Sequence, residues 1–583
     1  MKRKAPVKKN EELMITIEDV SAEGEGIGRY EGYTLFVPKT LPQEVVKVKI
    51  LKVGGSFGYA KTLDFLKTSP LRQEPDCPAG PLCGGCTLQH IRYEETLKLK
   101  QKQIKDCLER IGGLTDVSVP PVLGMADPTR YRNKMQYPIR AGKDGEVQIG
   151  FFAPASHRVI EAPVCCQQDE WVGVILQKIK GMMKNGGFTA YDEERHTGLL
   201  RHCVIRKSDL HQTFHLTLVV NESKMVERLA QAIRQTFAGL PPISGVSINF
   251  HNEKNNVIMG RKTEAVLGEL YVEDHIGRYR FLISPNSFFQ INSVMTERLY
   301  QTALEYAALT GNERVIDLYC GIGTISLFLA EKAKEVIGVE IVPEAIADAE
   351  KNAARNGVQN ARFYAGKAEE IFPRLYAEGK RAEVIVVDPP RKGLEESVVE
   401  TLRHMQPERI VYVSCNPATL ARDIKRLAAA DTDGARYQLA KVQGVDMFAR
   451  GGHVETVVLL SQHRDKSTCL DERGSRQIVM QASRLASLLA QKPDDTIEID
   501  LDLDELDATS AELKATYQEI KDYVLKEFGL KVSNLYISQI KRKCGIEVGE
   551  NYNLPKTENP KVPQCPKEKE DAIKAALKYF AMI

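Results

Sequence analysis

The sequence lacks an apolar run long enough to span a membrane, and no apolar segment follows its basic N-terminus as a secretory signal requires. We therefore expect a cytoplasmic protein without membrane association. Its 12 cysteines among 583 residues are too few for a disulfide scaffold, so we expect them to serve metal binding or catalysis. The net charge of +2 is too small to indicate a partner.

The pattern of strand and helix signals changes along the chain, which predicts a multidomain protein. Residues 8–67 show five short strand signals split by turns, which predicts an OB-like β-barrel. Residues 68–275 are mixed and mostly β, which predicts a central α+β domain. Residues 276–462 alternate strand and helix signals, which is typical of a Rossmann-like α/β domain with a parallel sheet.

Residues 463–583 differ in composition and predict a small, mainly α-helical C-terminal extension. An acidic alternating stretch at 497–504 predicts a strand. A capping box at Thr509 and a possible cap at Ser533 then predict two helices that resemble a helix-turn-helix. This extension could bind an additional RNA or protein partner, or it could be a plain packing module.

One cysteine stands at the end of a strongly apolar strand signal, in the order Val-Tyr-Val-Ser-Cys415, and Asn416-Pro417 then ends the strand. Asp388 closes another apolar run, and Glu455 begins a third. The ends of neighbouring strands form the active crevice of an open α/β sheet, and a thiolate is strongly nucleophilic. Cys415 is therefore the predicted nucleophile, and an inert buried thiol is the alternative.

A glycine-rich turn follows the strand signal at 315–319 and reads Cys320-Gly-Ile-Gly-Thr324. It lacks the third spaced glycine of dinucleotide-binding turns, and Glu340 closes the next strand, where a carboxylate can hold ribose hydroxyls. The pattern favours S-adenosylmethionine (SAM) over NAD. The alternative is a purely structural turn.

The residue that follows Asp388-Pro389-Pro390 bears on the type of methyl transfer. Arg391 stands where amino-methyltransferases carry an aromatic side chain, which argues against methylation of an exocyclic nitrogen. Methylation of uracil carbon 5 instead needs a thiolate that adds to carbon 6 and a separate base that removes the carbon-5 proton. Cys415 and Glu455 are predicted for these two roles, and Asp388 or Arg391 could orient the uracil.

A second set of cysteines lies in a Pro/Gly-rich segment, at Cys77, Cys83 and Cys86, with Cys165 and Cys166 further along the chain. Four thiolates suit either a [4Fe–4S] cluster or structural zinc. The five-residue gap between Cys77 and Cys83 favours the cluster, because zinc sites use shorter spacings. Spacing alone does not choose between Cys165 and Cys166.

Together these motifs resemble the RNA 5-methyluridine methyltransferase family over about residues 10–461. The resemblance implies that the N-terminal barrel is an RNA-binding TRAM domain and that the first three cysteines belong to the iron–sulfur loop of the rRNA-modifying branch. It implies Cys166 as the fourth cluster ligand, with Cys165 in reserve. It also implies cofactor contacts at Gln290, Tyr319, Glu340 and Asp388, a nucleophile at Cys415 and a base at Glu455.

The chain departs from that family just before Glu455. The family often reads Asp-Met-Phe-Pro-x-Thr there, whereas Asp446-Met447-Phe448 is followed by Ala-Arg450-Gly-Gly, and we expect a looser loop. The combined expectation is a monomeric, SAM-dependent enzyme that methylates uridine carbon 5 in structured RNA, with 23S rRNA as the expected substrate. The alternatives are a tRNA uridine-5 methyltransferase, a 5-methylcytidine methyltransferase, or a non-catalytic RNA-binding or ribosome-assembly factor.

Overall fold

A computed structural model describes residues 5–21, 24–142, 144–154, 156–221, 225–429 and 436–462, with 520, 524, 528, 530, 532, 534–543 and 565–579 in the tail. The chain divides into two compact units, one holding nearly all described residues up to 462 and one holding those of the tail. Within these described ranges, no helix has both the length and the apolarity to cross a membrane.

The first five strands close into a barrel in the order β1-β2-β3-β5-β4, as predicted. Alternate residues such as Ile17, Leu35 and Val48 point inward and form its core, which leaves the lysines of β4 on the outer face. The strands are β1 Glu12–Val20, β2 Glu25–Tyr30, β3 Tyr33–Pro38, β4 Val45–Val53 and β5 Phe57–Lys67.

The central region is a six-stranded mixed sheet in the order β13-β12-β11-β10-β6-β7, and α2 and α3 pack on one of its faces. The cysteine segment and α1 precede it in the chain. The elements are α1 Tyr93–Arg110, β6 Lys134–Ala141, β7 Val147–Ile149, β8 Phe151–Phe152, β9 Val159–Ile160, α2 Glu170–Gly186, β10 Leu200–Ser208, β11 Thr213–Val220, α3 Val226–Phe237, β12 Ile243–Phe250 and β13 Lys262–Gly268.

A hairpin, β14 Val272–Ile276 and β15 Tyr279–Ile283, leads into a seven-stranded sheet of order β18-β17-β16-β19-β20-β22-β21. The strands are β16 Arg314–Leu318, β17 Glu335–Glu340, β18 Ala361–Ala365, β19 Val384–Val387, β20 Arg409–Ser414, β21 Tyr437–Val445 and β22 Glu455–Gln462. The helices are α4 Ser293–Ala307, α5 Thr324–Ala330, α6 Pro343–Arg355, α7 Ala368–Ala377, α8 Glu396–Met405 and α9 Pro417–Ala428.

The pairing of this sheet decides where the predicted catalytic residues meet. Strands β16 to β20 run parallel, and separate apolar cores cover the two faces of the sheet. Strand β22 runs antiparallel beside β20, with Ser414 opposite Thr456. The start of β22 therefore lies at the carboxyl edge of the parallel strands, and Cys415 and Glu455 are the next residues beyond that pair.

In the tail, α10 Asn534–Lys543 and α11 Lys567–Tyr579 share a small apolar core that includes Ile520, Ile540 and Ile573. An ion pair of 2.8 Å between Lys543 Nζ and Glu570 Oε2 joins the two helices. Helix α10 begins at Asn534, and Ser533, the predicted cap residue, lies outside the described residues. The predicted acidic strand at 497–504 and the predicted helix start at Thr509 lie outside the described residues, so those parts of the extension stay predictions.

Candidate active site

The glycine-rich turn after β16 opens a space beside the carboxylate that ends β17. Gly321 and Gly323 have φ angles of 55° and 81°, in the left-handed region that glycine adopts without strain. The Gly321 amide donates a hydrogen bond of 3.2 Å to Glu340 Oε2. A Cβ atom added at Gly321 would meet nothing within 4 Å, so the turn has a free side on which a ligand could approach its backbone.

Two further predicted cofactor contacts are Tyr319, directly before this turn, and Gln290. Tyr319 also has a positive φ angle of 69°, and its buried hydroxyl has no hydrogen-bond partner among the described residues. Gln290 is buried in the loop before α4, where its main-chain carbonyl accepts a hydrogen bond of 2.9 Å from Asn133 Nδ2. The free turn, the unpartnered hydroxyl and the Glu340 carboxylate together fit the adenosine and ribose of SAM.

Three carboxyl groups at neighbouring strand ends have raised pKa values. Burial raises the pKa of Glu455 to about 8, and the negative charge of Asp388 adds to this while Arg391 opposes it. Burial and the charge of Asp317 raise the pKa of Asp388 to about 7. Burial also raises the pKa of Asp317 to about 7, against a hydrogen bond from Ser326. Like charges this close disfavour one another's ionisation.

Asp317 has no assigned role in the sequence-based prediction, although a signal for it existed. An acid within the apolar order Val-Ile-Asp-Leu is unusual on a strand that is buried on both faces.

The hydroxyl of the fully buried Tyr300 is affected by the same acids. Burial is the largest cause of its raised pKa, and the charges of Asp388, Asp317 and Glu455 raise this pKa further.

The thiol of Cys415 belongs to the same cluster. Burial raises its pKa to about 12, Glu455 and Asp388 add to the shift, and Arg391 opposes it. Asn416 caps α9 by accepting a hydrogen bond of 3.0 Å from the Ala418 amide, which ends β20 at this position. The structure thus brings the predicted nucleophile, the predicted base, Asp388 and Arg391 together at one edge of the sheet.

Arg391 contacts neighbouring elements through both its main chain and its side chain. Its carbonyl accepts a hydrogen bond of 3.1 Å from Thr419 Oγ1 on α9, and its Nη2 lies 3.3 Å from His453 Nε2. The guanidinium therefore stands between β19 and the start of β22, where it favours the ionised forms of both Cys415 and Glu455.

The other cysteine set surrounds a small cavity of about 30 Å³, far from Cys415 in sequence. Four thiols line this cavity, those of Cys77, Cys83, Cys86 and Cys165. Among the described residues, no three His, Cys, Asp or Glu side chains are arranged to hold a metal ion. Several thiols around one cavity are nevertheless the donor chemistry of an iron–sulfur cluster rather than of a hard cation.

The two adjacent cysteines differ in their surroundings. Cys165 lines the cavity, whereas the Cys166 thiol accepts a hydrogen bond of 2.9 Å from Gln89 Nε2. Hydrogen bonds from Cys86 and Gln89, with the charge of Arg450, lower the pKa of Cys166 to about 7. Cys166, the residue that the resemblance favours as fourth ligand, therefore lies beside the cavity rather than on its wall.

A wider groove of about 320 Å³ lies near Tyr279, Glu331 and Asn360. Asn360 directly precedes β18, so this groove lies at the amino edge of the parallel strands and not at the carboxyl edge that carries the cysteine and the acids. Ligands of open parallel sheets bind at the carboxyl edge, so we assign this groove no catalytic role.

Comparison with known proteins supports the family and the fold. The tRNA (uracil-5-)-methyltransferase family matches residues 223–463, and the TRAM domain matches residues 6–63. An uncharacterised RNA methyltransferase of Halalkalibacterium halodurans is 46% identical over 465 residues, which cover 79% of this chain and 99% of that protein. A similar protein of Clostridium tetani is 44% identical over 466 residues, or 80% of this chain and all of that one.

A solved structure extends the likeness to three dimensions. The tRNA (uracil-54, C5)-methyltransferase of Pyrococcus abyssi, in complex with S-adenosyl-L-homocysteine, superimposes with a TM-score of 0.61 at 25% identity. The match covers 77% of this chain and 100% of that one. By family domain, near-complete relatives and fold, this chain belongs to the SAM-dependent RNA uracil-5 methyltransferases that carry a TRAM domain.

Proposed function

We propose that the protein methylates carbon 5 of a uridine in structured RNA through a covalent bond between Cys415 and uracil carbon 6. The observation that carries this proposal is the pairing of Ser414 with Thr456, which sets the nucleophile and the base side by side at the end of β20 and the start of β22. The target base must leave its stack to reach them.

In this mechanism the Cys415 thiol gives its proton to solvent water, and the resulting thiolate sulfur adds to carbon 6 of the uracil. The electron pair of the 5,6 double bond moves towards the carbonyl at carbon 4, which gives an enolate that is nucleophilic at carbon 5. Bound SAM supplies the electrophilic methyl group. Arg391 favours the thiolate and faces the same cluster, which suits it to hold the uracil carbonyl.

Glu455 completes the reaction as the general base. Its carboxylate removes the carbon-5 proton, the electron pair of that C–H bond reforms the 5,6 double bond, and the carbon–sulfur bond breaks with its pair returning to sulfur. A base with a pKa of about 8 is well matched to this task near neutral pH. No electron is gained or lost in these steps.

For the cysteine cavity we propose a [4Fe–4S] cluster rather than zinc, with Cys77, Cys83 and Cys86 as ligands and a fourth from the Cys165–Cys166 pair. The group of thiols around one cavity supports this assignment. A cluster there would have a structural or RNA-positioning role, because the carbon chemistry needs no electron transfer.

For the substrate we propose 23S rRNA, because the three-cysteine loop resembles that of the rRNA-modifying branch. The second candidate is tRNA, which the matching family domain and the Pyrococcus abyssi enzyme carry in their names. The outer face of the TRAM barrel carries Lys47, Lys49 and Lys52 on β4, and these lysines suit the phosphates of either RNA.

Tritium release from RNA labelled at uridine carbon 5 tests the chemistry. Anaerobically purified protein with SAM should release tritium from 23S rRNA, and Cys415→Ala should release none. Parallel reactions with tRNA separate the two substrate candidates. If wild type releases tritium from neither RNA while it still binds them, the protein is a non-catalytic RNA-binding factor and the proposed function fails.

A further inference from the structure

The loop that precedes Glu455 is held far more firmly than the two glycines at its end, Gly451 and Gly452, predict. The residues from Asp446 to Arg450, which we call the base loop, are mostly buried. Four consecutive carbonyls in it accept hydrogen bonds from four distant parts of the chain. The donors are Asn292 Nδ2 for Met447, Lys100 Nζ for Phe448, Gln167 Nε2 for Ala449 and the Leu88 amide for Arg450.

Three of these four donors come from the region that carries the second cysteine set. Leu88 follows Cys86 by two residues, Gln167 follows Cys166 directly, and Lys100 lies on α1, just beyond the first three cysteines. The Lys100 ammonium also pairs with Asp446 Oδ1 at 2.6 Å, and both side chains are buried. The cysteine-bearing region is therefore the main support of the base loop.

Arg450 makes the most direct connection between the two. Its Nη2 donates a hydrogen bond of 2.7 Å to Asp76 Oδ2, and Asp76 is the residue before Cys77. Arg450 has a φ angle of 67°, a conformation that costs a non-glycine residue of the order of 1 kcal/mol and persists only where contacts on both sides impose it. The Arg450 side chain is 8% exposed, so the pair is shielded from solvent on the arginine side.

We propose that Arg450 is a positioning residue for the catalytic base, and that its bond to Asp76 lets the cysteine-bearing segment determine where Glu455 stands. This inference rests on the proposed function, because it assigns Glu455 the proton-removal step. Four residues separate Arg450 from Glu455, and β22 begins at Glu455 itself, so a shift of the base loop moves the carboxylate. A displacement of about 1 Å is enough to slow a proton transfer by about 100-fold.

The proposal predicts that only the last chemical step depends on the Arg450–Asp76 bond. Addition of Cys415 to carbon 6 and methyl transfer use the end of β20, which is anchored by its pairing with β19, and β19 does not contact the base loop through any of the four carbonyl bonds described above. Loss of the bond should therefore leave the methylated covalent adduct intact and slow its resolution.

The test uses Arg450→Asn and Asp76→Ala in the full-length, anaerobically purified protein. Asparagine tolerates the positive φ angle better than most residues, so the first variant removes the bond without adding strain. Arg355→Asn is the matched control, because Arg355 Nη2 makes an equally short 2.7 Å bond to Glu273 on an exposed surface away from the base loop. Melting temperatures of all variants verify folding.

Two readouts separate the steps. Covalent trapping by 5-fluorouridine RNA needs no proton removal and should stay within about twofold of wild type in both variants, whereas tritium release from carbon 5 should fall by about 10-fold to 100-fold. Equal losses of trapping and release, or variants that behave like Arg355→Asn, would overturn the proposal. A wild type that neither traps nor releases would instead show that the proposed function is wrong.

Discussion

The raised pKa of Glu455 makes the proton-removal step strongly dependent on pH. With a pKa of about 8, the base is ionised in about 1% of molecules at pH 6, about 10% at pH 7 and about 90% at pH 9. Only the carboxylate can take the carbon-5 proton. The rate of tritium release should therefore rise about tenfold per pH unit up to pH 8 and then level off.

The assay must isolate this step from the ionisation of Cys415, whose pKa is raised to about 12. We would form the methylated adduct in a single turnover at one pH, jump to a second pH and follow release from the adduct already made. Glu455→Gln should slow release by about 100-fold to 10,000-fold and abolish its pH dependence. Glu378→Gln, at an exposed carboxylate paired with Lys380, is the control.

Release from wild type that is flat between pH 6 and pH 8 would refute the assignment of a raised pKa to the base. Release by Glu455→Gln that still climbs with pH would show that another group removes the proton. Asp388 would then be the next candidate, since burial raises its pKa to about 7 at the same edge of the sheet.

Three further predictions concern stability and the cysteine cavity. The stabilising contribution of neutral, buried Glu455 is complete below pH 4.5 and is lost as the pH rises through about 8. Urea titrations at pH 9 should therefore find Glu455→Gln more stable than wild type, by up to about 5 kcal/mol. At pH 4.5 the two proteins should differ little in their free energies of unfolding. Lys100→Met leaves the buried Asp446 charge unpaired and should lower the free energy of unfolding by about 3–5 kcal/mol, while Lys102→Met on the exposed side of the same helix should cost under about 1 kcal/mol. Iron content after anaerobic purification should fall in Cys165→Ser and persist in Cys166→Ser, because Cys165 lines the cavity; the reverse result would make Cys166 the ligand.

Local pattern was enough to predict the parts of the fold that depend on strand periodicity. The five-stranded barrel follows from alternating runs between turns, and the parallel sheet follows from apolar strands separated by helices. The edge with Cys415, Asp388 and Glu455 was predictable for the same reason, since each residue directly ends or begins an apolar run.

Contacts between distant segments were not predictable in this way. Nothing near Asp446 indicates that Lys100, 346 positions earlier, lies against it, and nothing near Arg450 points to Asp76. We therefore expected a loose loop from the two glycines that follow Arg450, whereas three side chains and one backbone amide from four distant segments hold the base loop. Sequence spacing could not choose between Cys165 and Cys166 for a similar reason. The two residues are adjacent in a loop, and only tertiary packing determines the direction in which each side chain points.

The three carboxyl groups at the carboxyl edge should affect the relative affinities of the enzyme for SAM and for the demethylated product of SAM. Each raised pKa shows that the ionised carboxylate is destabilised at its position, so a nearby positive charge would stabilise it. The sulfonium of SAM carries that positive charge, and it becomes a neutral thioether once the methyl group has left. The crevice should therefore favour SAM over its product, and this selectivity should widen as the pH rises and the carboxyl groups ionise.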